Sequence, residues 1–121
     1  MSPTLPGTVL VVDDDADIRD ALCELLEDEG YRAISAANGQ EALANLSTGE
    51  LPCVILLDLM MPVMDGWEFR RRQQEDPRLA QVPVVVITAA GKYGTSSIDA
   101  AHVLPKPLRL ELVLEALQQY C

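Results

Sequence analysis

The sequence predicts an α/β domain built on a parallel sheet, and three observations carry that prediction. Short apolar, largely β-branched runs recur along the chain, amphipathic segments of helical period separate them, and each of the clearest runs stops abruptly at a polar residue. Val9-Leu10-Val11-Val12 ends at Asp13-Asp14-Asp15, Cys53-Val54-Ile55-Leu56-Leu57 ends at Asp58, and Val84 to Ile87 ends at Thr88. Right-handed crossovers between parallel strands place helices on both faces of such a sheet. Ligands then bind beyond the carboxyl ends of the strands. Asp13, Asp14, Asp58, Thr88 and Lys106 are therefore expected to converge at one edge.

Each element follows from its own pattern. Residues 1–7 hold two prolines and a glycine and read as a flexible lead-in. Ile18, Ala21, Leu22, Leu25 and Leu26 recur at helical spacing, and Gly30 supplies a stop. Tyr31 to Ala36 fits a second strand; Asn38 then caps a helix carrying Ala42, Leu43 and Leu46, which Thr48-Gly49 and Pro52 end. Met60-Met61-Pro62 and Asp65-Gly66 form a loop before a helix from about Trp67 to Glu75. The stretch Gly91-Lys92-Tyr93-Gly94-Thr95-Ser96-Ser97 is too rich in glycine and hydroxyl residues for a helix interior. Val103-Leu104-Pro105 reads as the fifth strand, and Leu110, Val113, Leu114 and Leu117 mark a final amphipathic helix.

Composition limits the partners. The chain has 121 residues, 49% hydrophobic and 23% charged, which suits one globular domain. Nine Lys and Arg against 19 Asp and Glu give a formal charge of -10, a surface that repels nucleic acid and anionic membranes alike. The apolar runs are too short to span a bilayer, and no basic-then-apolar leader opens the sequence. Cys23, Cys53 and Cys121 are odd in number and lie far apart, so neither a disulfide framework nor a zinc site is expected; a reduced, cytoplasmic domain is.

Three carboxylates at one sheet edge repel one another, and a divalent cation relieves that repulsion. All-oxygen donors suit Mg²⁺, which keeps several waters and needs few carboxylates. A lysine ammonium and a threonine hydroxyl beside it match the oxygens of a transferring phosphoryl group. A central carboxylate can accept that group as an acyl phosphate. Other residues have plainer readings. Asp15, Asp17 and Asp20 suit the positive end of a helix, and Met60, Met61 and Met64 suit loop packing. His102 stands alone, and Gly91-Lys92 lacks the upstream glycine of a phosphate loop.

These motifs resemble the receiver (response-regulator) domain of two-component signalling. They are Leu10-Val11-Val12-Asp13-Asp14, Leu57-Asp58-Leu59-Met60-Met61-Pro62 with Met64-Asp65-Gly66, Ile87-Thr88-Ala89 and Pro105-Lys106-Pro107. The likeness spans residues 8–119 and implies a doubly wound five-stranded sheet of order 2-1-3-4-5. It also implies Asp58 as phosphoacceptor, Asp13 and Asp14 as the Mg²⁺-holding acids with Asp14 favoured as direct ligand, and the Met60 carbonyl as a further ligand. Thr88 and Lys106 would contact the phosphoryl group, and Lys106-Pro107 would be cis. The implied donor is a histidine kinase or histidine phosphotransfer protein. The output would run through a downstream protein or a fused effector, without turnover of an external substrate.

The chain departs from the family between Thr88 and Lys106. That stretch is about one helical turn short, so the fourth of five helices is expected to be short or irregular, with the signal passing through loop ordering near residues 89–97 or another face. Val103 stands where an aromatic usually sits, and His102, one residue away on a strand, would face the opposite side. Two other classes are compared. Asp13-x-Asp15 is similar to the nucleophile motif of haloacid-dehalogenase phosphatases, but Asp17 stands where Thr or Val is usual and the chain is short for that core. A receiver-like interaction module that takes no phosphate is the other.

Overall fold

The computed structural model describes residues 7–48, 51–88, 102–105 and 109–121. Along the chain run β1 (Thr8–Val12), α1 (Ala16–Asp28), β2 (Arg32–Ala36), α2 (Gly39–Thr48), β3 (Val54–Asp58), α3 (Gly66–Glu75), β4 (Val84–Thr88), β5 (His102–Pro105) and α4 (Leu110–Tyr120). The five strands are parallel in the order β2-β1-β3-β4-β5. The central strands β1, β3 and β4 are almost wholly buried, as their uninterrupted apolar runs require. The expected irregular fourth helix, Lys106 and the Lys106-Pro107 peptide lie outside the described residues.

Alternate strand residues feed two cores. Leu10, Val12, Ile55, Leu57, Val84 and Val86 pack with Ala42 and Leu46 of α2 and Phe69 of α3. Val9, Val11, Val54, Leu56, Val85, Ile87 and Leu104 pack with Leu22 and Leu26 of α1 and Val113 and Leu117 of α4. Helices therefore cover both faces, α2 and α3 on one, α1 and α4 on the other.

The helix signals act as their chemistry dictates. Asp15 caps α1 by accepting from the Asp17 and Ile18 N–H groups. Gly30, at φ 94°, ends it: its N–H donates to Glu27 and the Tyr31 N–H to Leu26, a Schellman closure that needs the left-handed backbone. Asn38 caps α2 through the Glu41 N–H at 3.0 Å, while the Glu41 carboxylate accepts from the Ala37 N–H. Strand ends differ slightly from the sequence reading, since Asp58 and Thr88 are the last residues of β3 and β4 instead of the first beyond them.

The cysteine expectation is corrected. Cys53 and Cys121, 68 residues apart, form a disulfide with Cα atoms 5.4 Å apart, and Cys23 is free. The sequence interval carried no hint because the two meet only through the fold: the residue before β3 and the residue after α4 reach the same end of the sheet.

Gln73 is a buried polar residue that the sequence pattern does not reveal. Its side-chain amide donates to the carbonyls of Leu79 at 2.8 Å and Val82 at 3.0 Å, and its oxygen accepts from Arg70. It thereby pins the chain leading from α3 into β4. Gln73→Leu keeps the volume but strips a donor from two carbonyls, which costs about 2–4 kcal/mol. Denaturant unfolding should show a midpoint lowered accordingly with an unchanged slope.

Candidate functional site

The register of the central strands assembles the site. Val12 of β1 pairs with Leu57 of β3, so the next residue on each chain sets Asp13 beside Asp58. Both continue the rows Val9, Val11 and Val54, Leu56, which face α1 and α4. On the other side of β3, Asp58 pairs with Ile87, and Thr88 ends β4 opposite Pro105 of β5. Asp13, Asp58 and Thr88 are each 2–3% exposed, whereas Asp14 is exposed at the mouth. Oxygens from Asp13, Asp14 and Asp58 all lie within 4.8 Å of one another.

Backbone hydrogen bonds orient the acids. The Asp13 N–H donates to the Ala36 carbonyl at 3.1 Å, and one Asp13 carboxylate oxygen accepts from the Asp15 N–H at 2.9 Å. Arg19, one turn into α1, donates to the Asp13 carbonyl at 2.8 Å. The Met60 N–H approaches Asp58 Oδ1 at 3.3 Å.

The loop after Asp58 is the most constrained segment around the site. The Met64 N–H donates to the Pro62 carbonyl across Val63, whose φ of 68° is strained for a β-branched residue. Met60 and Val63 are left exposed. Asp65 caps α3 through the Glu68 N–H, and the Gly66 N–H closes on the Leu59 carbonyl. Gly39 donates to the Met64 carbonyl and packs on the Met64 side chain, tying the start of α2 to this loop. The sequence named Asp65-Gly66 but offered no sign of the Gly39 contact or the Val63 conformation. The only available cue was the cluster Met60-Met61-Pro62, which stops the strand.

A donor set of three carboxylates, without nitrogen or sulfur, fits a hard cation. Mg²⁺ in octahedral coordination spaces its oxygens about 3–4 Å apart, close to what these side chains already present. Residues 9–118 match the family model described as the response regulator receiver domain. The chain belongs to the response regulator receiver domains. Its receiver relatives include the sporulation initiation phosphotransferase F of Bacillus subtilis, 33% identical over 93% of this chain and 91% of that protein. The response regulator Rre1 of Synechocystis is 39% identical over 74% of this chain, which spans only 38% of that longer regulator. Among solved receivers, TrrA of Thermotoga maritima, in complex with Mg²⁺ and BeF, is 28% identical. It covers 95% of this chain and 99% of its own, with a TM-score of 0.83. The family assignment displaces the phosphatase reading of Asp13-x-Asp15 and makes this receiver a phosphoacceptor module of two-component signalling.

β5 bears out the facing argument for the missing aromatic. His102 turns to α4, its ring 3.1 Å from the Gln119 amide oxygen and edge-on to Tyr120, while Val103 is 43% exposed. Nor does the fold leave room at Gly66. An added Cβ would stand 2.8 Å from the Leu59 Cα and 3.0 Å from the Asp58 carbonyl oxygen. Gly66→Ala should therefore destabilise the protein by about 1–3 kcal/mol. Its backbone shift lies beside Asp58, so phosphoryl uptake should slow along with the lowered thermal midpoint.

Proposed function

We propose that Asp58 accepts the phosphoryl group, with Asp13, Asp14, Asp58 and the Met60 backbone carbonyl holding Mg²⁺, and Thr88 and Lys106 contacting the phosphoryl oxygens. Residues 8–119 form the unit that does this in a cytoplasmic setting. The observation that carries the reading is the packing of two buried carboxylates and one exposed carboxylate around a point at the carboxyl edge of the sheet, in a chain of this family.

A carboxylate oxygen of Asp58 attacks phosphorus in line with the bond to the donor's imidazole nitrogen. The bond from oxygen to phosphorus forms as the nitrogen–phosphorus bond breaks, and the donor histidine keeps the electron pair. Bound Mg²⁺ supplies charge neutralisation at the phosphoryl oxygens. The Thr88 hydroxyl and the Lys106 ammonium supply hydrogen bonds to the same oxygens once the group has moved. Burial of Asp58 keeps competing water scarce, and the Met60 N–H fixes one carboxylate oxygen in place. A histidine kinase or histidine phosphotransfer protein is the donor, and a downstream protein or fused effector reads the result. The chain turns over no external substrate.

Intact mass after incubation with Mg²⁺ and a small phosphodonor should show one added phosphate. Asp58→Asn should abolish it. Stoichiometric uptake by that variant would refute the assignment. Without a donor, millimolar Mg²⁺ should raise the thermal midpoint by relieving repulsion among the three acids. Asp14→Asn should weaken that response and raise the midpoint of the metal-free protein. A midpoint indifferent to Mg²⁺ would count against the site.

A further inference from the structure

We infer that Cys53 and Cys121 are a thiol–disulfide modification site that fastens or releases α4 according to redox conditions. The site is independent of the phosphoacceptor chemistry, because Cys53 precedes β3 and Asp58 ends it. The pair is placed for intramolecular closure, with Cα atoms 5.4 Å apart, inside the range a disulfide spans. In the disulfide-bonded structure the Cys53 sulfur lies 3.3 Å from the Thr8 carbonyl oxygen, an acceptor that a reduced S–H would find at that position.

The two sulfurs differ in access. Cys121 is exposed and Cys53 half-buried against the core that α4 helps to form. The Cys121 thiolate therefore attacks a low-molecular-weight disulfide of the glutathione class and expels one thiolate. The Cys53 thiolate then attacks the Cys121 sulfur and expels the second, so one disulfide is consumed, two thiols are released and the protein loses two hydrogens. Cys23 does not compete: burial, then the Glu27 and Asp20 carboxylates, hold its thiol above the ordinary range.

α4 is the element that gains most. It is 11 residues long, short for a helix that must hold by itself, and Arg109 gives its first turn no side-chain cap. Its last turn carries no basic residue to complement the dipole. Docking of Val113, Ala116 and Leu117 holds it to the sheet, joined near its end by the His102 contacts with Gln119 and Tyr120. The Cys53 bond adds a covalent tie at that same end. Opening it lets the last turns fray and changes the surface α4 presents, while the phosphoacceptor edge stays in place.

The test takes the whole protein through oxidised glutathione and then dithiothreitol. The oxidised form should be a monomer lighter by two hydrogens with a Cys53–Cys121 cross-linked peptide. Its thermal midpoint should lie roughly 10 °C above the reduced form. Amide exchange over residues 112–120 should be at least ~10-fold slower when oxidised. Cys121→Ser, at an exposed position, should show reduced behaviour whatever the oxidant, and Cys23→Ser should leave the response intact. A disulfide-linked dimer, a linkage through Cys23, or equal α4 exchange in the two states would overturn the inference.

Discussion

Two buried carboxylates of like charge, set side by side at the end of neighbouring strands, have to be held there by everything else in the domain. Asp13 and Asp58 become neighbours because Val12 pairs with Leu57, and no local preference of either residue asks for that arrangement. Two ionised groups about 4 Å apart repel by an amount on the order of a few kcal/mol even at an effective dielectric near 20. That is a large fraction of a domain's net stability of about 5–15 kcal/mol. The buried rows on either side of β1 and β3 supply the opposing force, since slipping the register by one residue would exchange the side chains that feed the two cores. A cation bound among Asp13, Asp14 and Asp58 would relieve that repulsion at a site whose oxygens are already gathered.

The loop from Leu59 to Asp65 carries strain of a different kind. Val63 has a left-handed backbone conformation that a β-branched side chain disfavours, yet Met64 hydrogen-bonds across it and Gly39 buttresses Met64 from α2. Gly66 allows α3 to begin directly against the Asp58–Leu59 backbone. Close approach on one side and a forced turn on the other leave the residues after Asp58 little freedom. Two exposed apolar side chains, Met60 and Val63, then stand at the surface on the loop that follows Asp58. Precision at Asp58 therefore depends on three small contacts distributed over three elements.

Most of this architecture was legible because its signals are local or periodic. Three apolar runs, the cap at Asn38 and the stop at Gly30 are written in neighbouring residues, and each became the element it specifies. The acids were legible for a related reason: a charge directly after a buried strand can emerge only at the sheet edge. What escaped was long-range and sparse. Gln73 is one of two adjacent amides on a charge-rich helix, and its partners, Leu79 and Val82, are backbone atoms that any sequence would supply. The Cys53–Cys121 bond depends on the positions of β3 and α4 in three dimensions, about which a 68-residue interval is silent.

β3 joins the two ends of the molecule's chemistry. Asp58 stands at its carboxyl end and Cys53 just before its amino end, separated by roughly 16 Å of extended chain. Its interior residues, Val54 to Leu57, are buried, so the two ends are held apart by a packed strand. A rigid central strand can nonetheless serve both ends because the helices around it differ in how they are held. α2 is tied to the loop after Asp58 through Gly39, and α1 to the end of β1 through Arg19 and the Asp13 carbonyl. α4 has no described hydrogen bond to those acids; its polar ties run to His102 of β5, and its covalent one to Cys53. Events at Asp58 therefore reach α1 and α2 through those ties, whereas the last turn of α4 is fastened at the opposite edge of the sheet through Cys53.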